Sequence, residues 1–488
     1  MSTPVRSIED LGAEFEKYVV QLFEQRYNQT AGLPYDKKLM ESASEALVGL
    51  SSEFLNSYEE PRAFYLNSIH TIAQARKLPL SLEIYDRRMS LISTKAYQLH
   101  KKPVNWGSWR QFNALSSNPN DRQKVFDEFV NKILDLAPSI IKRFNISRQV
   151  YSLYGSSPLE AYLEKEFLSY DKLNNIIFSL GDGARKPFLI AADHYAPEIL
   201  NKETFEYFDD FYVAKARIYS SLNKYFEKKN PLKVVGSFLS NWGFEDDLAQ
   251  IKVDSEDREK KSPSAFCFGI KIPNDVRVVY KHVSPFSDFS SIFHEFGHAI
   301  HGTSGDPDAS YWKRYFIPMS VAETFSIFIE MLLQYPLFLQ QELGLSEEVI
   351  QEIIDRRHFI NLYFLVFYSA NALMKLEFWK RDYTSEQASS RFQELTKRFF
   401  WEIPGDYWLL HHIMPDYDLY APSYLLGSIR AKEWTNQMID EYGEEFWKDG
   451  QAGTVFRDLA ATRGEFDLSV WDLDPKPYLE DQSTFSFQ

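Results

Sequence analysis

Cysteine and glycine are both scarce in this sequence. Cys267 is the single cysteine among 488 residues, so no disulfide can form within the chain. That fits a reducing compartment, and we expect a cytoplasmic protein. Glycine contributes only 20 residues, and strict alternation of polar and apolar residues is rare, which argues against a β-rich fold. The sequence therefore predicts a mainly α-helical protein.

The sequence also lacks an excess of positive charge and long apolar runs. The net charge is −15, and no run of five or more Lys or Arg residues occurs. Nucleic-acid binding uses the opposite charge, so we expect no nucleic-acid partner. The first ten residues have no apolar segment typical of a signal peptide. The most apolar segment, 359–374, contains Asn361 and Asn371 and is shorter than the roughly 20 residues of a membrane span. We interpret it as a core helix and expect no membrane association.

A charged loop over residues 254–263 indicates a boundary in the chain. It predicts an N-terminal helical half, 1–253, and a catalytic half, 254–488. In the first half, apolar spacing predicts separate helices over 61–76 and 80–100.

The second half contains two predicted strands, 266–272 and 276–282, which are rich in aromatic and β-branched residues. They lead directly into the predicted helix 291–300. A strand beside a catalytic helix can bind an extended peptide through backbone hydrogen bonds, so residues 264–282 are a candidate substrate-binding edge. A further helix is predicted over 314–334.

The helix 291–300 contains the motif H-E-x-x-H, as His294-Glu295-Phe296-Gly297-His298. Histidines four positions apart lie about 40° apart around a helix, so both imidazoles can bind one metal ion. Glu295 follows the first histidine, where a carboxylate can activate a water molecule.

A catalytic zinc site needs a third protein ligand. Glu323, 29 residues after His294 in another helical stretch, can supply it. Ser326 and Glu330 lie on the same face of that stretch, and Glu330 could accept a hydrogen bond from a ligand imidazole. His301 also shares a face with His294, but it lies too far along the helix to bind the same ion.

Histidines and tyrosines are concentrated near the C-terminal end of the catalytic half. His411 and His412 precede Tyr417, Tyr420 and Tyr424. Neutral O–H and N–H donors stabilise the oxyanion that forms during peptide hydrolysis. These residues are candidates for that role and for substrate binding.

The two segments 293–301 and 321–326 resemble the thimet oligopeptidase and oligoendopeptidase F family of zinc metallopeptidases. The resemblance implies one Zn²⁺ per chain, held by His294, His298 and Glu323. It further implies that Glu295 is the general base and acid. The implied fold is a large helical one, split by a deep substrate groove, with a small β hairpin or sheet beside the zinc helix. The N-terminal half would then cover the groove.

The same family has a histidine followed by tyrosines that contact the substrate and the oxyanion. The spacing from His412 to Tyr417 and Tyr424 matches that pattern, so these three are expected catalytic residues. His411 and Tyr420 are expected to bind substrate. The stretch 413–419 contains no glycine, whereas the family's loop is often glycine-rich.

A second resemblance is to the carboxypeptidase Taq family. Residues 274–279 are similar to its Asp-x-Arg-x-Thr signature, with Val279 in place of threonine, and residues 422–427 are similar to its Pro-Thr-Tyr-x-Leu-Gly run. The region around Glu323 lacks that family's His-Glu-Ser-Gln-Ser motif.

We therefore expect a zinc metallopeptidase that hydrolyses peptide bonds in short oligopeptides, acting as an endopeptidase. The alternatives are a Taq-like carboxypeptidase that removes C-terminal residues, a di-iron helical protein and an inactive scaffold that binds peptides. The di-iron class shares the E-x-x-H spacing of Glu295 and His298, but it requires a second copy that the sequence lacks. The side-chain preference and the oligomeric state stay open.

Overall fold

The computed structural model describes residues 6–93, 97–258, 261–262, 264–400, 402–410 and 420–487. The protein is 72% helical with 4% strand, which confirms the mainly α class. Short 3₁₀ turns also occur between the helices, together with one π-helical turn over Tyr212–Arg217.

Eleven described helices precede the sheet that adjoins the H-E-x-x-H motif. They are α1 Ile8–Thr30, α2 Lys37–Ser57, α3 Arg62–Met89, α4 Trp109–Leu115, α5 Pro119–Ile133, α6 Ala137–Ser152, α7 Pro158–Lys165, α8 Tyr170–Leu200, α9 Asn223–Phe226, α10 Pro231–Asn241 and α11 Glu245–Gln250.

The prediction of two helices over 61–76 and 80–100 is wrong, because α3 is one helix that continues through Pro79 and ends at Met89. The chain beyond it forms a tight hairpin instead. Strands β1 Gln98–Leu99 and β2 Lys102–Pro103 pair around His100 and Lys101, which both have positive φ. That backbone geometry is typical of two-residue hairpin turns and excludes a helix.

A three-stranded sheet lies beside α12, the helix of the H-E-x-x-H motif. It contains β3 Lys252–Asp254, β4 Phe266–Lys271 and β5 Asp275–Val279, in the order β3-β5-β4. Strands β4 and β5 are antiparallel, as expected for a hairpin, whereas β3 pairs with β5 in parallel and was not predicted. Because β4 pairs with β5 alone, it is an edge strand of the described sheet.

Nine described helices follow the sheet. They are α12 Pro285–Thr303, α13 Tyr311–Tyr315, α14 Met319–Met331, α15 Pro336–Leu343, α16 Glu347–Lys380, α17 Ser385–Phe399, α18 Tyr420–Tyr442, α19 Gly450–Thr462 and α20 Pro475–Gln482.

The predicted helix 314–334 starts too early, because the chain breaks after α13 and α14 begins only after Pro318. Proline fixes its own φ and disfavours helix at the preceding residue, so a helix more easily starts after it. A 3₁₀ turn, Leu332–Gln334, follows α14.

One hydrophobic cluster extends from Ile84 to Phe485 and includes residues of both predicted halves. The division at residue 254 stays a prediction. Helix α16 is long and apolar enough to cross a membrane, as is the bent pair Met319–Gln334 and Pro336–Leu343 by the same test. However, 89% of the most apolar window of α16 is buried inside the protein, as in a core helix.

A buried ion pair connects the N-terminal helices to the helices of the site. Glu166, at the end of α7, lies 3.3 Å from Arg430 of α18, and both side chains are at most 1% exposed. Ser320 of α14 donates a 2.6 Å hydrogen bond to the same carboxylate, and Arg430 also donates to Ser320. Three helices therefore meet at one desolvated charge pair.

Replacing Arg430 by methionine should lower the free energy of unfolding by about 3–5 kcal/mol, because Glu166 would be left as an unpaired buried charge. Urea denaturation measures this change. Replacing both residues by apolar ones, Glu166→Leu with Arg430→Met, should recover most of the lost stability. A double variant as unstable as the single one would contradict this explanation.

Candidate active site

Helix α12 carries the H-E-x-x-H motif on a helix that is firmly held at its start. Pro285 occupies its first turn, where proline is tolerated, and Asp288 accepts a 3.0 Å hydrogen bond from the backbone N–H of Val283. The apolar side chains of its other face are buried in the core. The rings of His294 and His298 consequently face the same side, with centroids 5.0 Å apart.

Glu323 of α14 lies opposite the two histidines. Its Oε2 is 3.5 Å from Nε2 of His294, and its Oε1 is 3.9 Å from Nε2 of His298. One ligand atom from each residue lies within 4.8 Å of the other two. Ligands about 2.1 Å from a tetrahedral ion are roughly 3.4 Å apart, so this donor set fits a zinc-sized cation.

Two glycines, one on α12 and one on α18, allow these helices to pack closely against α14. A Cβ on Gly297 would lie 2.5 Å from both the carbonyl oxygen of Phe325 and the Cα of Ser326. A Cβ on Gly427 of α18 would lie 2.8 Å from the Cβ of Glu323. A side chain at either position would displace α14 and with it Glu323.

A hydrogen-bond network behind His294 fixes its orientation. Its Nδ1–H donates to Oε2 of Glu330 at 3.0 Å, which leaves Nε2 directed toward Glu323. Ser290 and Arg357 donate to Oε1 of Glu330 at 2.6 and 2.9 Å. Burial opposes ionisation of Glu330, but Arg357 and these hydrogen bonds outweigh it and hold its pKa well below the usual range. The network thus supplies a permanent negative charge behind the imidazole.

Changing Glu330 to glutamine should weaken metal binding by about 10–100-fold, because the imidazole loses its charged hydrogen-bond acceptor. Competition with a chromogenic chelator measures the dissociation constant. Glu348→Gln is the matched control, since Glu348 is exposed in the first turn of α16. Equal affinities in the two variants would show that the network does not support the metal.

The two histidines have different electrostatic surroundings. Burial lowers the pKa of His298 well below its ordinary value, which favours the neutral form that metals bind. Burial also lowers the pKa of His294, but the hydrogen bond to Glu330 and the charges of Glu323 and Glu330 outweigh it and raise the pKa to about 9. A cation and a proton would therefore compete for Nε2 of His294.

Glu295 lies between the ligand cluster and the edge strand. Its side chain is 8% exposed, and its carboxylate has a hydrogen bond with the backbone of Cys267 in β4. Burial raises the pKa of Glu295 to about 7; the charges of Glu323 and Glu330 act in the same direction and that of His294 opposes them. A carboxylate in this environment can accept and release a proton.

Three tyrosines lie on the other side of the ligand cluster. Tyr420 of α18 forms a hydrogen bond with Glu323. Its ring centroid is 6.0 Å from that of Tyr424, which in turn lies 5.2 Å from that of Tyr368 in α16. Burial raises the pKa of Tyr420 and Tyr424 well above the usual value, so both keep their O–H donors.

The remaining predicted residues are not all near the site. His411, His412 and Tyr417 lie outside the described residues, so their roles stay predictions. His301 is 2% exposed and stacks on Phe325 with centroids 4.1 Å apart, as expected for a packing residue. Over the described ranges, the group of His294, His298 and Glu323 has no second counterpart of the kind a di-iron site requires.

Sequence reasoning missed Ser290 and Arg357, which hold Glu330, and Tyr368, which adjoins Tyr424. Arg357 had a detectable signal, because it lies at the start of the most apolar part of α16, where a buried charge must find a partner. Ser290 and Tyr368 had none, since nothing in their local sequence distinguishes them from core residues.

Residues 238–427 match the family model of peptidase family M3. No curated protein sequence matches the chain. The matched segment includes every described residue of the ligand cluster, together with Glu295, Glu330 and the three tyrosines.

Several solved structures share the fold. A Pyrococcus furiosus carboxypeptidase (apo-Mg) has a TM-score of 0.62 and 14% identity over 99% of this chain and 100% of that one. A putative oligoendopeptidase F has a TM-score of 0.60 and 13% identity over 100% and 94%. Trypanosoma cruzi metallocarboxypeptidase 1 has a TM-score of 0.56 and 14% identity over 98% of each chain. At such identities the likeness concerns the fold alone.

The segment that carries the candidate site is therefore similar in sequence to peptidase family M3, and the fold around it is shared with a putative oligoendopeptidase F and with carboxypeptidases. The predicted resemblances are confirmed at that level: residues 238–427 match the model of peptidase family M3, and the whole chain shares its fold with the solved peptidases.

Proposed function

We propose that this protein is a zinc metallopeptidase that hydrolyses peptide bonds within short oligopeptides. The observation that carries the proposal is that ligand atoms of His294, His298 and Glu323 lie within 4.8 Å of one another. Glu295, on the helix of the two histidines, is buried beside them. This arrangement lies inside the segment that matches the M3 family model.

The donor set supports zinc as the metal. Two imidazoles and one carboxylate form the ligand set of many catalytic zinc sites, and a harder ion such as Mg²⁺ prefers oxygen ligands. When bound, zinc supplies a Lewis acid that activates water and polarises the scissile carbonyl.

The chain's own residues move the proton and stabilise charge. Glu295 takes a proton from the attacking water on its carboxylate and then transfers it to the nitrogen of the leaving amine. Tyr424 or Tyr417 donates its O–H to the oxyanion, with His412 as a further donor. His411 and Tyr420 bind the substrate.

Strand β4 is the proposed support for the peptide backbone. It is an edge strand of the described sheet, and the backbone of its residue Cys267 forms a hydrogen bond with Glu295. An extended peptide that pairs with this edge would pass beside the ligand cluster. A groove between the two halves would admit short extended peptides and exclude folded proteins.

A second candidate is a carboxypeptidase that removes single C-terminal residues. It is favoured by the fold similarity to the Pyrococcus furiosus carboxypeptidase over 99% of this chain. It is also favoured by Asp275 and Arg277 of β5, which form a 2.6 Å ion pair within the Asp-x-Arg pattern.

Digestion of a mixed peptide library by the purified protein distinguishes these modes. We expect internal cuts in short peptides, loss of activity after chelation and recovery when Zn²⁺ is added. Release of single C-terminal residues would favour the carboxypeptidase. A zinc-loaded protein that cleaves no peptide in the library would overturn the proposal.

A further inference from the structure

A cavity of about 440 Å³ lies apart from the ligand cluster of His294, His298 and Glu323. Its walls come from the start of α1, the loop between α12 and α13, helix α13, and the end of α19 with the turn Arg463–Glu465. None of the described groups that the proposed peptidase reaction uses lines this cavity. Cavities of this size hold small organic molecules in many proteins.

Arg463 lines the cavity and is buried without a counter-charge. It is 4% exposed, and no ion pair joins it to any described residue. Its Nε donates to the carbonyl oxygen of Arg314 at 2.8 Å, and its Nη1 donates to that of His301. The neighbouring Arg314, by contrast, pairs with Glu16 at 2.6 Å. Because buried charges are normally paired, an unpaired guanidinium favours a counter-charge that comes from a ligand.

The fold holds the Arg463 side chain in this position at a cost. Its φ is +43°, in the left-handed region that residues other than glycine rarely adopt. Gly305 leaves space for the side chain, because a Cβ there would lie 2.8 Å from the Cδ of Arg463. Burial lowers the pKa of the guanidinium to about 9, and the charge of Arg314 acts in the same direction. An anion in the cavity would relieve the electrostatic part of this cost.

Two hydrogen-bond donors remain for such an anion. Nη2 of Arg463 has no partner among the described residues and is not one of the fully buried unpaired atoms, so it is open to the cavity. The hydroxyl of Ser310, in the wall of the same cavity, is buried and also has no partner among the residues that the structure describes. Serine has three staggered rotamers, so this hydroxyl can turn toward a bound molecule.

The backbone of Arg314 holds the two donors next to each other. Its N–H donates to the carbonyl oxygen of Ser310 at 3.2 Å, and its own carbonyl oxygen accepts from Nε of Arg463 at 2.8 Å. Both donors can therefore bind one anionic group. A guanidinium N–H and a hydroxyl together suit the two oxygens of a carboxylate.

The mouth of the cavity has the opposite charge. Glu9, Asp306 and Asp308 line it and are exposed, so they lie on its solvent side. Glu465 is also exposed there, but it pairs with Lys313 at 2.6 Å. A molecule with a carboxylate at its inner end and an ammonium group at its outer end would match both charges. A free amino acid is the smallest molecule of that kind.

We propose that this cavity binds a free amino acid, with its carboxylate on Arg463 and Ser310 and its ammonium group toward the acidic mouth. The carboxylate supplies the counter-charge that the guanidinium lacks. Arg463 also holds the carbonyl oxygen of His301 in the last turn of α12, so the bound molecule would contact a residue that supports the motif helix. Amino acids are products of peptide hydrolysis, but the binding itself does not depend on the proposed function.

The first measurement is a thermal-shift screen of the full-length protein with each standard amino acid at millimolar concentration. A molecule that binds the native state raises the unfolding temperature. Isothermal titration calorimetry then gives the dissociation constant of the amino acid with the largest shift. Its N-acetyl and amide derivatives follow, because the first lacks the ammonium group and the second lacks the carboxylate. We expect both derivatives to bind about tenfold more weakly, or less tightly still.

Ser310→Ala is the decisive variant. The hydroxyl has no partner among the described residues, so its loss should not lower the free energy of unfolding. It should weaken binding of the free amino acid by about tenfold. Ser57→Ala, at an exposed serine that ends α2, is the matched control and should bind as the wild type does. Arg463→Met should abolish binding; if that variant does not fold, Ser310→Ala still tests the contact.

The same titrations can contradict the proposal. An amino acid held only at the catalytic site would bind equally to the wild type and to Ser310→Ala, and that result would overturn it. Binding of either derivative as tightly as the free amino acid, or no binding of any amino acid, would overturn it too. Failure of the peptidase function would appear separately, as absence of cleavage in the peptide-library digestion.

Discussion

Replacement of Glu295 by glutamine is expected to lower kcat by about 10²–10⁴-fold while the metal content stays unchanged. Glutamine has the same shape, and its side-chain oxygen can still accept a hydrogen bond from the backbone of Cys267. It cannot accept a proton from water at neutral pH. The three ligand residues are untouched, so the variant should bind metal as the wild type does.

The position of Glu295 explains why this effect should be confined to kcat. Its carboxylate is 8% exposed and contacts the edge strand, and it is not among the ligand atoms that converge on the cation. Substrate binding through β4 and the tyrosines should continue. We therefore expect KM to change little and the loss of activity to persist at saturating substrate concentrations.

Glu295→Asp provides the control for charge. It keeps a carboxylate but shortens the side chain by one methylene, so the proton acceptor is displaced from the water. Activity between that of Glu295→Gln and the wild type is expected. Wild-type kcat in Glu295→Gln, with metal bound, would show that another group acts as the base.

The helical class and the ligand set were predictable because both depend on local sequence patterns. The apolar segment 359–374 was predicted to be a core helix, and the structure has it inside α16, Glu347–Lys380. His294 and His298 converge because a helix sets their relative direction, whatever surrounds it. Glu323 required a further assumption, that two helices pack side by side, and the structure places it within 4 Å of both histidines.

Local patterns could not predict contacts that depend on the packing of distant helices. Arg357 of α16 donates to Glu330 of α14, and Glu166 at the end of α7 accepts from Ser320 of α14. These pairs are separated by 27 residues in one case and by more than 150 in the other. Their proximity follows from tertiary packing, which overrides local propensity.

Gly297 had a sequence signal that is clear only in retrospect. Glycine in the middle of a helix is destabilising by about 0.5–1 kcal/mol relative to alanine, so a glycine there indicates a close approach. In the structure, the approach is that of the α14 backbone, which brings Glu323 to the histidines.

Replacing Gly297 by alanine should therefore damage both the fold and the site. The added Cβ would lie 2.5 Å from backbone atoms of Phe325 and Ser326, which have no side-chain freedom to move aside. Overpacking of this kind costs about 1–3 kcal/mol. If α12 and α14 moved apart to remove this clash, Glu323 would move away from the histidines. A displacement of about 1 Å can lower the rate by about 10²-fold. Denaturant unfolding and kcat/KM measure the two effects.

Gly49→Ala is the matched control, because Gly49 lies inside α2 and a Cβ there would meet no atom within 4 Å. That variant should gain about 0.5–1 kcal/mol from the helix preference of alanine and keep full activity. The same substitution should therefore lower stability at one helical glycine and raise it at the other, because only at Gly297 does the added carbon clash with neighbouring atoms. If Gly297→Ala were as stable and as active as the wild type, close packing of α12 on α14 would not be what holds Glu323 in place.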